Sequence, residues 1–437
     1  MKRFFKFTIP SIMSMWAYAL YTMVDGFFVA NYVGEVQFAA VNLSMPIVTS
    51  FFAIGMLLSV GAQARVGYNL GLGNRDKANK IFTTAFVTLV GVGIIFSIIL
   101  MLFLDKVIYI LGADNMTYQY AKEYLSVIVP FGLFFMTTYQ FETLVKVDGF
   151  PIVTAISVFV AAITNILLDY VFIVPLKMGV YGAALATGIA QLVSTIMLFT
   201  HFLRKKGRLK FSKTVDFSYL KRIIPLGVGE AVNEVAIGYT VFLFNTTLLR
   251  MIGPDGLIIY AVISYISIFA QVTMAGIAQG LAPIFSVDYG RKDYKSISRT
   301  ILAGFSFIFI ISIIFKIIGT FFSEPIVKLF LEEGSSVKYK TMEALGMYAM
   351  SYLFVGINVM LVTLFASLGK SKCAISVSLM RTPIFITIVM WIYENFIGGK
   401  FIWNVITISE GITSIIGIIL LYNVILKSLR VKREKIA

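Results

Sequence analysis

Twelve stretches of about twenty mostly apolar residues follow one another along the 437-residue chain, centred near Tyr21, Ile54, Val92, Leu133, Phe159, Val193, Ala236, Ala270, Ile310, Phe354, Ile384 and Ile416. A stretch of that length crosses the hydrocarbon core of a bilayer as a helix, because lipid offers no partner to backbone N–H and C=O groups. Little length is left for a soluble domain. Charged residues make up 14% of the chain, against about 25% in soluble domains, which excludes a water-soluble globule. The expected fold is an all-α membrane protein with twelve transmembrane helices, its main partner the lipid bilayer.

The formal charge of +15 is unevenly placed. With alternate connections on opposite sides of the membrane, 27 of the 37 Lys and Arg fall on the side of the two termini and 8 on the other, while Lys316 and Arg381 lie inside spans. That excess puts both termini in the cytoplasm. The basic charge is thus a topology signal, and no nucleic-acid partner is expected. Lys2, Arg3 and Lys6 precede an apolar stretch from Ile9 to Val33. It is too long for the core of a cleaved signal and it holds Asp25, so it is expected to stay as the first helix. The single cysteine, Cys373, allows no internal disulfide, and the single histidine, His201, supports no metal cluster. No metal or cofactor is expected, and His201 is read as an interfacial residue.

The longest polar segment, 204–222, divides the spans six and six, into an N-terminal lobe (1–203), a basic cytoplasmic linker (204–222) and a C-terminal lobe (223–437). The halves repeat in order. Ile9-Pro10 returns as Ile224-Pro225, Gly73-Asn74-Arg75-Asp76 as Gly290-Arg291-Lys292-Asp293, Gly149 near Lys146 as Gly369 near Lys370, and Thr187-Gly188-Ile189 as Glu410-Gly411-Ile412. Six spans per unit bring both copies into the membrane in the same direction. The repeats are therefore parallel, a plan used by secondary transporters that carry cargo between two halves.

Asp25 and Asp169 sit inside spans, where an ionisable group costs at least about 2.5 kcal/mol and is retained for a use. The repeat puts Thr240 opposite Asp25 and apolar positions near Ile386 and Met390 opposite Asn165 and Asp169, so the polar cluster is expected in the first half alone. Asn165 and Asp169, four apart, project from one helix face. Thr187 on the next span can add a hydroxyl. Two carboxylates in low dielectric can share a proton, and the same oxygens suit Na+. Interhelical polar contacts that satisfy one another are the structural alternative.

Ile9-Pro10 fifteen residues before Asp25, Gly149-Phe150-Pro151 leading into Asn165-Ile166-Leu167-Leu168-Asp169-Tyr170, Gly227 to Glu230, and Arg381 in the eleventh span carry a resemblance in their order and spacing. The chain resembles the multidrug and toxic compound extrusion (MATE) family of the MOP superfamily, in particular its DinF-like and MepA-like bacterial branch, nearly end to end. The resemblance implies two six-helix lobes around a central cavity and outward export of amphipathic, cationic organic compounds coupled to inward H+ or Na+. It implies a cation site made of Asp25, Asn165, Asp169 and Thr187, and a bend of the first helix near Pro10. It also implies a monomer in a bacterial cell membrane. From the sequence alone, Pro10 is either a kink or a first-turn residue.

Glu230, Glu234, Asn245 and Gln271 are candidate cavity contacts, with interhelical packing the alternative for each. The tenth span, about 342–368, offers only Glu343 and Asn358, so no second-lobe cation site is expected. Glu142 and Lys146 are spaced for an intrahelical ion pair. Lys316 is expected to snorkel to an interface and Arg381 to meet polar groups between helices. A lipid-linked-sugar flippase or metabolite exporter of the same superfamily is the alternative function. A flippase is disfavoured because only Lys316 and Arg381 lie within spans to meet a phosphate. An enzyme or ATP-driven pump is excluded more firmly. Gly369-Lys370-Ser371 lacks the opening glycine of a phosphate loop, since Leu364 stands there, and catalytic histidine and cysteine pairs are absent from the sequence.

Overall fold

The computed structural model describes residues 1–204, 207–332 and 334–427. Lys205 and Lys206 of the basic linker, and the basic C-terminal residues beyond 427, lie outside the described residues. Twelve helices are long and apolar enough to cross a membrane: α1 (Lys2–Val33), α2 (Glu35–Gly71), α3 (Arg75–Leu102), α4 (Tyr118–Asp148), α5 (Pro151–Ile173), α6 (Gly179–Leu203), α7 (Phe217–Met251), α8 (Pro254–Gly290), α9 (Tyr294–Phe321), α10 (Lys338–Ser367), α11 (Ser371–Ile397) and α12 (Phe401–Leu426). Every expected span centre falls inside one of them. Strands are absent among the described residues, as a lipid solvent requires of a chain that satisfies its backbone within each segment.

The repeat is visible in the turns. Asn74 caps α3 by accepting from the Lys77 amide, and Asp293 caps α9 by accepting from the Ser296 amide. The preceding residues, Gly73 (φ 81°) and Lys292 (φ 58°), take the same left-handed conformation. The turns therefore superpose Gly73-Asn74 on Lys292-Asp293, two residues away from the pairing read from the sequence. The glycine in the sequence string had masked a conformation that the second copy builds with lysine.

The linker is shorter than expected. Asp216 accepts from the Ser218 amide, and α7 starts at Phe217. The preceding segment is tied to the first six helices: Asp148 Oδ1 accepts from the Arg208 and Leu209 amides, and Thr83 Oγ1 accepts from the Ser212 amide. His201, expected at an interface, is buried instead, with Nε2 2.9 Å from Asp148 Oδ2. Asp148 ends α4 beneath the linker and draws the imidazole inward.

The two groups of six helices meet at the end that carries the N-terminus and the basic connections. There α2 crosses α7 so closely that a Cβ on Gly61 would run into the Ile223 carbonyl, and one on Gly227 into the Leu57 carbonyl. Small residues at such crossings let backbones approach where lipid provides no hydrophobic drive. Arg3 of α1 donates to both Asp288 oxygens at the end of α8 (2.7 and 2.9 Å), and Trp16 Nε1 donates to Thr273 Oγ1 (2.8 Å). Away from this end the halves part around a cavity of about 500 Å³.

Candidate functional site

Asn165 and Asp169 stand one turn apart on α5 and are fully buried; Asp25 of α1, which packs along α5, is 9% exposed. Asn165 Nδ2 donates to Thr187 Oγ1 of α6 at 3.3 Å. The fold thus gathers the residues expected at the cation site onto three packed helices. The helices that carry the two carboxylates, α1 and α5, pack against each other. Asp25 Oδ1, Asn165 Oδ1 and both Asp169 oxygens are buried without a hydrogen-bond donor. Interhelical polar packing would leave such oxygens satisfied. Burying acceptors without a donor is costly. Among the described residues no group of three or more His, Cys, Asp or Glu is positioned for a metal.

These residues stand beside the cavity, not in its wall. Between them and the cavity lies Tyr21, one turn before Asp25 on α1. Its hydroxyl accepts from Gln191 Nε2 of α6 (3.1 Å), and its ring meets Tyr18 edge-on with centroids 5.1 Å apart. Tyr18, Tyr21 and Gln191 all line the cavity.

Pro10 is the ninth residue of a helix that runs unbroken from Lys2 to Phe28, so the first-turn reading does not hold. Without an amide N–H it withdraws one ladder bond from the helix interior. Ser14 Oγ donates to the Pro10 carbonyl (2.9 Å), one turn on.

Glu230, Glu234 and Gln271 line the cavity. Glu230 accepts from Thr363 Oγ1 of α10 (2.8 Å). Asn245 does not line it. The α7 stripe of Glu234, Ile237 and Val241 ends at Val241, and Asn245, one turn beyond, is exposed. The Glu142–Lys146 ion pair also fails to form: Glu142 lines the cavity, while Lys146 Nζ is buried without a hydrogen-bond partner.

Sequence reasoning expected Arg381 to meet polar groups between helices, and it does, in a second-half polar cluster around Glu410 that the sequence reading had not assembled. Arg381 Nε of α11 donates to Glu410 Oε1 of α12 at 2.6 Å, Asn358 Nδ2 of α10 donates to Glu410 Oε2 at 2.7 Å, and Ser414 Oγ donates to Asn358 Oδ1 at 3.1 Å. The expectation that the polar cluster belongs to the first half alone is therefore corrected. The signal was present in the repeat itself, which put Glu410 opposite Thr187. The two clusters differ in kind, because the second holds its carboxylate in an ion pair and the first leaves its carboxylates unpartnered.

The MatE family model matches the chain twice, over residues 10–171 and 231–392, one match in each half. "Multidrug export protein MepA" of Staphylococcus haemolyticus (strain JCSC1435) is 21% identical over 430 residues, covering 97% of this chain and 93% of the relative. Among solved structures, a MOP superfamily transporter from Pyrococcus furiosus Vc1 (DSM3638) superposes with a TM-score of 0.91 at 19% identity, covering 99% of this chain and 96% of that one. A multidrug resistance MATE family transporter in an outward-facing conformation superposes with a TM-score of 0.90 at 19% identity, covering 95% and 94%. With the family model matched over most of its length in two successive copies, the chain belongs to the MATE family of membrane transporters.

Proposed function

We propose that the chain is a secondary active exporter that moves amphipathic, chiefly cationic organic compounds outward in exchange for H+ or Na+ by alternating access. One observation carries the reading: four oxygens of Asp25, Asn165 and Asp169 are buried without donors next to a cavity they do not line. An ion site and a cargo site are then distinct but share a helix. Along α1 lie Arg3 of the closed end, the cavity-lining Ser14, Tyr18 and Tyr21, and Asp25. An ion at Asp25 and a cargo molecule in the cavity act on the same rod, and Pro10 is its weakest point for bending. Exchange follows only if ion and cargo favour different states of that rod, since tight binding to both shifts nothing. Asp, Asn and Thr oxygens suit Na+ as well as a proton.

Glu142, Glu230 and Glu234 give the cavity wall its acidic character, which supports a cationic cargo, as does the printed role of the staphylococcal relative in multidrug export. The flippase alternative loses support, because Arg381, a basic residue in the wall, is already engaged by Glu410. In this reading the protein is a monomer of two six-helix lobes, joined by a linker that ends where α7 starts at Phe217, in a bacterial cell membrane. The basic end and both termini face the cytoplasm, and the cavity opens outward.

Ethidium efflux from proteoliposomes under separately imposed H+ and Na+ gradients tests the proposal. Asp25→Asn and Asp169→Asn are each expected to abolish gradient-driven export at unchanged folding, and the active gradient names the ion. Export that survives loss of both carboxylates ends the proposal.

A further inference from the structure

Glu142 and Lys146 are charged residues on one face of α4, one turn apart, and the structure holds them apart. Glu142 lines the cavity. Lys146 is 1% exposed, and among the described residues its ammonium has no hydrogen-bond acceptor and no carboxylate within ion-pair distance. Glu142 is the charge that acts on Lys146. Glu N-terminal to Lys at this spacing is the favoured order for a helical ion pair, so the sequence supplies a pair that the present conformation does not close. A buried ammonium without a partner is costly, and a carboxylate at the cavity wall one turn away is its nearest remedy.

The surroundings of Glu142 fit a ligand cation. Tyr139, one turn earlier on α4, and Tyr18 of α1 line the same cavity as Glu142. Glu230 and Glu234 of α7 line the same cavity. Aromatic faces beside a carboxylate attract a bulky organic cation through ring quadrupole and charge together. Ser194, 1% exposed, adds a hydroxyl to the cavity wall that has no partner among the described residues.

We infer that Glu142 is a cation-exchange position on the cavity wall: it binds the positive group of a cationic amphipath when the cavity is loaded, and Lys146 takes its place when the emptied cavity closes. The lysine is a resident competitor. It lowers affinity for the cargo cation and compensates Glu142 after release, so the empty cavity closes without an isolated carboxylate. This inference rests on the cationic-cargo part of the proposed function but not on its coupling ion.

The test is ethidium binding to the purified full-length protein in lipid nanodiscs, followed by fluorescence polarisation, for the native chain, Glu142→Gln, Lys146→Met and the double variant. Glu142→Gln is expected to weaken binding about tenfold. Lys146→Met, which keeps side-chain length and removes the competing charge, is expected to tighten binding at least about twofold. In the Glu142→Gln background Lys146→Met should change nothing, because no carboxylate remains to compete for. A purely structural Lys146 would alter melting temperature and leave affinity alone. Glu142→Asp, which retains the charge, serves as the control for folding and is expected to recover most of the binding. No change on Lys146→Met, the same tightening with and without Glu142, or no ethidium binding by the native protein overturns the inference. Binding that follows this cycle in a protein that exports under neither gradient leaves the exchange position standing and removes antiport. Gradient-driven export with a flat cycle removes the exchange position alone.

Discussion

Arg3 at the start of α1 donates to both carboxylate oxygens of Asp288 at the end of α8, 285 residues away, at 2.7 and 2.9 Å. Asp288 is 1% exposed and also accepts from Ser296 Oγ (2.7 Å), so its carboxylate is held from both sides. The contact ties the first half to the second at the closed end of the cavity.

Removing the charge from this tie should open that end. A hydrogen bond to a charged group contributes about 1.5–3 kcal/mol, and about 1.4 kcal/mol is a tenfold change in population. Arg3→Gln is therefore expected to raise the share of molecules open at the basic end about tenfold. Spin labels on exposed Arg75 and Lys295 report it as a longer component in the distance distribution. An unchanged distribution would mean that the helix crossings alone hold the end shut.

Those crossings make a separate prediction. Gly227→Ala places a methyl against the Leu57 carbonyl and must push α7 away from α2. Ser59 of α2, two residues on, is fully buried. In a Cys373→Ser background, Ser59→Cys should resist a membrane-impermeant maleimide and become reactive when Gly227→Ala is added. Equal labelling rates in the two proteins would count against a tight closed end.

The Arg381–Glu410 pair should behave as a buried ion pair. Arg381→Met alone leaves Glu410 without its 2.6 Å partner and is expected to cost about 3–5 kcal/mol. Arg381→Met with Glu410→Met should recover most of that loss, since apolar replacement of both partners is often neutral. Thermal unfolding in detergent measures both. Equal destabilisation by the single and double variants would show that the residues do not act as a pair.

Asp148 anchors the linker through the Arg208 and Leu209 amides. Asp148→Asn should weaken that anchor by about 1–3 kcal/mol and speed tryptic cleavage after Arg208, Lys210 and Lys213. Unchanged cleavage would place the anchor elsewhere, for instance at Thr83 and Thr84, which accept from the Ser212 and Asp216 amides.

Span number, the parallel repeat and the membership of Asp25, Asn165, Asp169 and Thr187 in one cluster were legible in the sequence. The spans and the shared face of Asn165 and Asp169 follow from short-range rules, since twenty apolar residues must form a helix in lipid and residues four apart share a face, whereas the joining of Asp25 and Thr187 to them was what the family resemblance implied. The repeat was legible with a slipped register at Gly73, because identical letters at neighbouring positions compete with a turn geometry that only φ angles reveal. Asn245 was misread for a related reason: its helical face is right, but the cavity ends a turn earlier at Val241.

What the sequence by itself determined is therefore which residues are polar inside the membrane and which helix each one rides on. The tertiary structure alone decided which of them are satisfied. Glu410 and Arg381, 29 residues apart, close an ion pair, while Glu142 and Lys146, four apart, do not. Nearness along the chain fixes only a helical face; the desolvation that makes a charge seek a partner, and the partner it finds, depend on helices brought together from both halves of the chain.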